Sequence, residues 1–221
     1  MFIEPSKDQI MLKPQDIVIL LKILSIMTLS KGNPDDLLSQ NQLATHLCMS
    51  ASEVNAGIKR LVLAGLLGPV LKKDGNQNKI LFLPIKAACE ECLISGVKYY
   101  FPVQLGAYTR GIATSYAAPI FEKLILVGND PIPVWPSAEG DQRGLALEPL
   151  YSSVPKSLAQ YPDPLFYELL VLIDAIRSGR ARERNIAIKL LRERINYEQQ
   201  ASAGKLESSD ARVRGKKVGK S

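Results

Sequence analysis

The stretch that decides the fold lies between residues 39 and 67 and reads SQNQLATHLCMSASEVNAGIKRLVLAGLL. Within it, Ser50 and Glu53 have the spacing of a capping box, in which each side chain bonds the other residue's backbone N–H at a helix start. Apolar residues follow at helical spacing at positions 54, 58, 61 and 62, and Gly65 is suited to end a helix. The pattern predicts a helix over residues 50–64.

Two helices and two strands are predicted around this one. A helix that begins near Ser39 or Gln40 is separated from it by a tight turn, residues 48–50. Earlier in the chain, residues 14–30 are apolar nearly all round, which is typical of a buried helix. On the other side, Leu66–Leu71 and Lys79–Leu83 have the composition of strands, and the polar turn between them contains an Asp-Gly step.

Three helices followed by a two-stranded hairpin form the winged helix-turn-helix arrangement. The stretch from Gln42 to Leu67 resembles the DNA-binding core of MarR-like transcriptional regulators, with a QLA second helix, a serine cap and an Ala-Gly-Leu entry into the wing. The resemblance covers about residues 12–83, roughly a third of the chain. It implies a sequence-specific DNA-binding regulator, a homodimeric repressor that reads the major groove with helix 50–64.

The same resemblance indicates which side chains meet DNA. In such folds the outer face of the third helix enters the major groove, where serine and asparagine bond base edges. The start of the second helix lies near phosphate, and wing lysines reach the flanking backbone. The candidate DNA-binding residues are Gln40, Asn41, Gln42, Ala51, Ser52, Asn55, Ala56, Lys59, Lys72, Lys73 and Lys79. The arginine often found on this face in the family is missing, and Asn55 and Ala56 stand in its place.

Residues 84–198 are predicted to form a companion domain of helices and strands, which gives an α+β, mainly helical fold class with a C-terminal helical hairpin. Its predicted helices are Ile85–Ser95, Pro119–Val127, Pro164–Arg177 and Arg180–Tyr197, and its predicted strands are Val97–Pro102, Pro131–Pro136 and Gly144–Leu150. Residues 103–118 carry little signal of regular structure. We expect this part to mediate dimerisation, ligand sensing or partner binding, with the terminal hairpin building the dimer as the resemblance implies.

The basic charge is concentrated at the C-terminal end. The chain has 28 Lys and Arg against 22 Asp and Glu, a net charge of +6. Residues 177–198 and residues 199–221 each carry +4, so residues 1–176 carry −2. Residues 199–221 are rich in Ser, Gly, Lys and Arg with few apolar side chains, which predicts a disordered basic tail. The expected division is therefore 1–83 for DNA binding, 84–198 for the companion domain and 199–221 for the tail.

One loop in the companion domain is a candidate ligand site. The segment between Tyr108 and Tyr116 gathers hydroxyl groups around a single arginine among Gly and Ala residues. An arginine fork with nearby amide donors is able to bind an anion or a small ligand. The candidate ligand-binding residues are Thr109, Arg110, Thr114 and Ser115. The alternative is an ordered loop whose hydroxyls satisfy its own backbone.

Metal, cofactor and catalytic chemistry are not expected. Cys89 and Cys92 have zinc-like spacing, but His46 and Cys48 point different ways on the predicted helices, and two buried thiols explain the pair. A single histidine leaves none for a catalytic triad, so no enzyme is predicted. The longest apolar run is too short for a bilayer, the N-terminus lacks a secretory signal, and three cysteines imply no disulfide framework. We expect a cytoplasmic protein.

Three partners follow from these expectations: double-stranded DNA, a second copy of the chain, and a protein encoded in the same operon. Two alternatives to a regulator stay open at this point. One is an antitoxin or defence-system component that binds a partner protein through residues 84–198. The other is a winged helix used only for protein contact.

Overall fold

The computed structural model describes residues 11–31, 33, 38–74, 77–126, 128 and 130–195. It has the mixed α+β class that the sequence predicts, with helices and two small sheets. The helices are α1 Pro14–Leu29, α2 Gln40–Leu47, α3 Ala51–Leu63, α4 Lys86–Glu91, α5 Val97–Tyr100, α6 Val154–Gln160, α7 Pro164–Ser178 and α8 Ala181–Ile195. The strands are β1 Leu67–Asp74, β2 Gln77–Pro84, β3 Leu105–Ala113, β4 Pro133–Pro136 and β5 Gln142–Leu147.

Both short N-terminal helices begin with reciprocal caps. The predicted box at α3 is confirmed: Ser50 Oγ accepts from the Glu53 N–H at 3.2 Å, and Glu53 Oε2 accepts from the Ser50 N–H at 2.8 Å. Ser39 and Gln42 form the same arrangement at the start of α2. Cys48, in the left-handed region at φ 52, turns the chain between the two helices. Gly65 follows α3 with φ 70, as its position predicts.

The strands of the first hairpin are longer than predicted. β1 and β2 pair antiparallel, with Leu67 opposite Pro84 and Asp74 opposite Gln77. Lys72 and Lys73 therefore lie in a strand, although the sequence placed them in the polar turn. The reason is that backbone pairing continues past the last apolar residue of each strand, because it does not depend on which side chains are present.

The hydrophobic core is continuous from α1 to α8 and passes through both expected domains. In α1 every residue from Asp16 to Ser25 is buried, and in α7 every residue from Leu169 to Ile176 is buried. The apolar side of α8, formed by Ala187, Leu191 and Ile195, is buried as well. The C-terminal hairpin thus buries its apolar surface within its own chain. The resemblance had implied that the hairpin forms a dimer contact.

Two buried ion pairs tie α1 to distant segments. Arg60 of α3 donates two hydrogen bonds to the fully buried carboxylate of Asp16, at 2.7 and 2.6 Å. Lys22 Nζ lies 2.8 Å from Asp163 Oδ2, and Asp163 also caps the first turn of α7. Because a charge removed from water is costly unless it is paired, each pair fixes the position of its helix against α1.

The predicted strand Val97–Pro102 is wrong. The chain continues from α4 through a π-helical turn, Cys92–Gly96, into α5, and Val97 is buried in the core. The run of Val and Tyr residues before Pro102 has strand composition, but the wider π turn carries the helix past Gly96. In the described part of the predicted helix 119–127, only Pro119–Phe121 is helical, as a 3-10 turn.

Residues 103–118 contain a strand that the sequence did not signal, and α6 was also not predicted. β3 pairs antiparallel with both β4 and β5, which pair in parallel with each other. The strands approach so closely at two glycines that no side chain fits. A Cβ at Gly111 would lie 2.0 Å from the carbonyl oxygen of Trp135, and a Cβ at Gly144 would lie 1.9 Å from that of Ile132.

Candidate nucleic-acid interface

The outer face of α3 combines exposure with small polar side chains. Ala51, Ser52 and Lys59 are exposed, and Asn55 and Ala56 are half-buried. Residues 52, 55, 56 and 59 share one helix face, because residues three and four apart are neighbours on a helix. The opposite face is formed by Val54, Ile58 and Leu61, which pack into the core. The five α3 residues predicted to meet DNA therefore lie together at the surface.

A hydrogen bond joins this face to the start of α2. Asn55 Nδ2 donates to Gln40 Oε1 at 2.8 Å, so two residues fifteen positions apart form one amide pair. Asn41 is exposed beside them. Gln42 differs from the other two, because its side-chain Oε1 accepts from Ser39 Oγ and the Ser39 N–H within the α2 cap. Of the three α2 candidates, Gln40 is the one bonded to α3.

The hairpin beside α3 is more apolar than the predicted wing. Lys72 stands opposite Lys79, and Lys73 opposite Asn78, in the antiparallel register. The next pair towards the base is Leu71 and Ile80, whose side chains are 74% and 56% exposed. The hairpin thus presents an apolar pair to solvent, one position along the register from Lys72 and Lys79.

The positive charge available on this surface is small. Residues 31–82 hold six basic and four acidic residues. One of the six, Arg60, is bound to Asp16 and is 13% exposed. Within the described residues, Lys59 has no ion-pair partner and is exposed, so it is the cation of α3 that is available to a phosphate.

Residues 151–161 pack against the turn between α2 and α3, and we call this segment the α6 clamp. Ser153 Oγ and Ser157 Oγ each donate at 2.7 Å to carbonyl oxygens at the end of α2, those of Leu47 and His46. Such carbonyls have no partner within their own helix. Further contacts are a bond from Cys48 Sγ to Gln160 Oε1 at 3.2 Å and a stack of the His46 and Tyr161 rings with centroids 4.7 Å apart.

The clamp also contacts the first turn of α3. The Tyr151 hydroxyl donates to the Glu53 carboxylate, which accepts from Ser50 as well. The bond from Tyr151 and then the bonds from Ser50 hold the pKa of Glu53 below its ordinary value. The same bond raises the pKa of Tyr151. Glu53 therefore stays ionised, with its charge bonded to three donors. Two serines four residues apart, Ser153 and Ser157, are the one sequence signal of this contact, and that spacing is too common to indicate it.

The candidate ligand-binding residues are not brought together in an open site. Arg110 Nε donates to the Gly140 carbonyl at 2.6 Å, and the Thr109 hydroxyl donates to the Arg110 carbonyl at 3.4 Å. Thr114 and Ser115 are fully buried. Their hydroxyls bond to Asp174 Oδ2 at 2.9 Å and to Ser178 Oγ at 3.2 Å. The geometry favours the alternative that the sequence left open, a loop whose hydroxyls serve its own structure.

Asp174 is the centre of a buried polar network rather than an open site. Its carboxylate accepts from Trp135 Nε1 at 2.6 Å and from Arg177 Nη1 at 2.8 Å, in addition to Thr114. Burial raises the pKa of Asp174, and Arg177, Thr114 and Trp135 act in the opposite direction. The network joins β4 to α7, and the side chains of Arg177 and Asp174 are only 5% and 2% exposed, so neither charge is open to solvent.

The residues that the structure describes contain neither a metal-binding cluster nor a membrane-spanning helix. Among the residues that the structure describes, no three His, Cys, Asp or Glu side chains are grouped so that they could hold a metal ion. Burial raises the pKa of the Cys89 thiol to about 12, and Cys89 Sγ donates to the Leu66 carbonyl at 3.3 Å. No helix in the described ranges has the length and apolar character needed to cross a bilayer.

The chain matches no family model, no curated protein and no solved structure.

Proposed function

We propose that the protein is a winged helix-turn-helix DNA-binding regulator, a cytoplasmic homodimeric repressor that reads the major groove with α3. The observation that carries the proposal is the exposed face of α3, where Ser52, Asn55 and Lys59 lie together and Asn55 is bonded to Gln40. A helix with short polar side chains on its outer face fits the major groove and bonds base edges there. The hairpin β1–β2 follows α3 in the chain, as a wing does.

With the small charge of one winged helix, tight binding to DNA would need a second subunit. Counterion release from phosphates supplies most of the sequence-independent affinity for DNA, and it grows with the number of phosphate contacts. One winged helix here contributes little, because Arg60 is bound to Asp16 inside the protein. A dimer doubles the number of phosphate contacts. The charge of +4 carried by residues 199–221 adds attraction that does not depend on the DNA sequence.

The test is a gel shift on the DNA upstream of the protein's own gene. The double variant Asn55→Ala/Lys59→Ala should abolish the shift that the wild-type chain gives, because it removes the base-reading amide and the exposed cation together. The matched control is Asn185→Ala/Lys189→Ala, which removes the same two residue types, at the same spacing, from the exposed surface of α8. The control should retain the shift.

Two results would contradict the proposal. One is a wild-type protein that gives no salt-sensitive shift on that DNA. The other is a loss of binding that is equal in the α3 variant and in the α8 control, because then only net charge would matter. The salt dependence is measured in the same experiment by repeating the titration at several salt concentrations.

A second candidate function is protein contact through the winged helix, and the apolar surface of the hairpin favours it. Leu63 at the end of α3 is 67% exposed, next in sequence to a hairpin with Leu71 and Ile80 exposed. Exposed apolar patches mark sites of protein–protein interaction. The test uses the full-length chain as bait for the product of a neighbouring gene. Leu71→Ser/Ile80→Ser should abolish capture if the hairpin is the interface, and capture that survives this change favours residues 84–198.

A further inference from the structure

We propose that Asn55 reads an adenine in the major groove and that Gln40 is the positioning residue that orients its amide. The inference rests on the proposed function, since it names the base that the α3 face would recognise. Asn55 Nδ2 donates to Gln40 Oε1 at 2.8 Å, and this hydrogen bond joins the start of α2 to the middle of α3.

The amide pair leaves a defined set of free groups. An asparagine side chain offers one acceptor oxygen and two N–H donors. One Asn55 N–H is used by Gln40, so its oxygen and its second N–H remain for a ligand. In the major groove adenine presents the N7 acceptor beside the N6 donor, whereas guanine presents two acceptors. One oxygen and one N–H side by side therefore match adenine and leave one bond to guanine unmade.

The arrangement of the amide pair sets which end of the Asn55 amide faces which base atom. A free amide can turn by 180° and exchange its oxygen and nitrogen, which would reverse the order of donor and acceptor. In the structure Gln40 Oε1 accepts from Asn55 Nδ2, which places Nδ2 on the α2 side. The opposite order requires the Gln40 amide to turn as well, so that its Nε2 donates to Asn55 Oδ1. The N–H groups of Gln40 Nε2 remain available at the N-terminal end of α2, where a phosphate is favourably placed.

The neighbours of Asn55 fit this assignment. Ser52 lies one turn earlier on the same face and Lys59 one turn later, and both are exposed. Asn55 itself is half-buried, so less side-chain freedom is lost when it binds. Glu53, the acidic residue nearest to it in sequence, is bonded to Ser50 and Tyr151. No unpaired carboxylate of the described α3 residues thus opposes a base contact.

The experiment starts with selection of bound duplexes from a random-sequence DNA pool by the wild-type full-length chain. The enriched motif should contain a position where adenine is preferred. Replacing that base pair by each of the other three should weaken binding by about 5- to 150-fold. Replacing the adenine by 7-deazaadenine, which lacks only the N7 acceptor, should weaken binding in the same direction.

Four variants separate base reading from general affinity. Asn55→Ala should bind the four versions of the site equally. Asn55→Asp keeps the shape of the side chain but removes the donor, so it should lose the preference for adenine while remaining folded. Gln40→Ala should also lose the preference, whereas Gln40→Glu keeps an acceptor for Asn55 and should retain it at lower overall affinity. Lys59→Ala is the control, and it should weaken all four versions by the same factor.

The outcomes distinguish this inference from the proposed function. If the wild-type chain selects a motif, but Asn55→Ala and Asn55→Asp keep the same base preference at every position, the adenine assignment is overturned and DNA binding stands. If Gln40→Ala keeps the full preference for adenine, the positioning role of Gln40 is overturned. A wild-type chain that enriches no motif from the pool overturns both the assignment and the proposed function.

Discussion

The ion pair between Lys22 and Asp163 offers the strongest test of how the two halves of the chain are joined. Lys22 lies on α1 and Asp163 precedes α7, and their side chains are only 5% and 11% exposed. Asp163 also accepts from Ser25 Oγ at 3.0 Å and from the Phe166 N–H at 3.0 Å. The perturbation is Asp163→Asn, which removes the charge but keeps an oxygen able to cap α7, because asparagine caps helices as well as aspartate.

The expected loss in the free energy of unfolding depends on the groups that still contact Lys22 after the change. Removing one partner of a buried ion pair costs about 3–5 kcal/mol, since the other charge is left unpaired. After the change, the Lys22 ammonium still lies 5.0 Å from the centroid of the Phe166 ring. This cation–π contact makes the loss of stability smaller than for a buried charge with no remaining partner. We therefore expect the free energy of unfolding to fall by about 3 kcal/mol. For a chain of this size the midpoint of thermal unfolding should fall by about 6–12 °C.

The assay is urea denaturation followed by far-ultraviolet circular dichroism and by tryptophan fluorescence. Trp135 is the single tryptophan, so fluorescence reports on β4 and the contact with α7, whereas circular dichroism reports on all helices. Both signals should shift together in Asp163→Asn. The double variant Lys22→Met/Asp163→Asn should cost less than the sum of the two single changes, because the second change removes the charge that the first leaves unpaired.

Two results would refute this reasoning. The first is a loss of less than about 1 kcal/mol in the free energy of unfolding of Asp163→Asn. A buried charge left unpaired costs about 3–5 kcal/mol, so such a small loss would mean that Lys22 becomes solvated after the change. Separate midpoints for fluorescence and circular dichroism in the wild-type chain would mean that residues 1–83 and 84–198 unfold independently, in spite of their continuous core.

Two further predictions concern pH and the C-terminal charge. Burial raises the pKa of Asp163, but Lys22, the Phe166 N–H and Ser25 together lower it below its ordinary value. The stability from this carboxylate is present above about pH 3.9 and is lost as the pH falls through the lower folded-state pKa, so the urea-measured cost of Asp163→Asn should shrink under acid. On the proposed function, deletion of residues 199–221 should weaken DNA binding and flatten its salt dependence, and a changed preferred site in the truncated chain would contradict this.

The elements that could be predicted from the sequence carry their own local determinants. The start of α3 follows from Ser50 and Glu53, and its end from Gly65, whose positive φ needs no distant contact. The helices near the C-terminus follow from apolar periodicity, and α7 differs from its prediction by one residue at the end. The exposed residues of α3 also follow, because a helix with one apolar face defines its other face.

The elements that could not be predicted depend on residues far away in the chain. β3 consists largely of small residues, and it forms a strand because β4 and β5 pair with it across Gly111 and Gly144. The α6 clamp depends on carbonyl groups at the end of α2, more than a hundred residues earlier. The bond between Gln40 and Asn55 spans only fifteen residues, but Asn55 is one of many candidate partners until the helices are placed.

If the proposed function holds, the distribution of charge assigns base recognition and attraction to phosphate to different parts of the chain. The six basic residues within 31–82 include Arg60, whose side chain fixes α3 to α1 instead of reaching solvent. On the proposed function, α3 then supplies shape and hydrogen bonds to bases, and it supplies little of the attraction to phosphate. That attraction has to come from a second subunit and from residues 199–221, which carry +4. A change at Asn55 should therefore alter which sequence is bound, whereas removal of the tail should alter how tightly every sequence is bound.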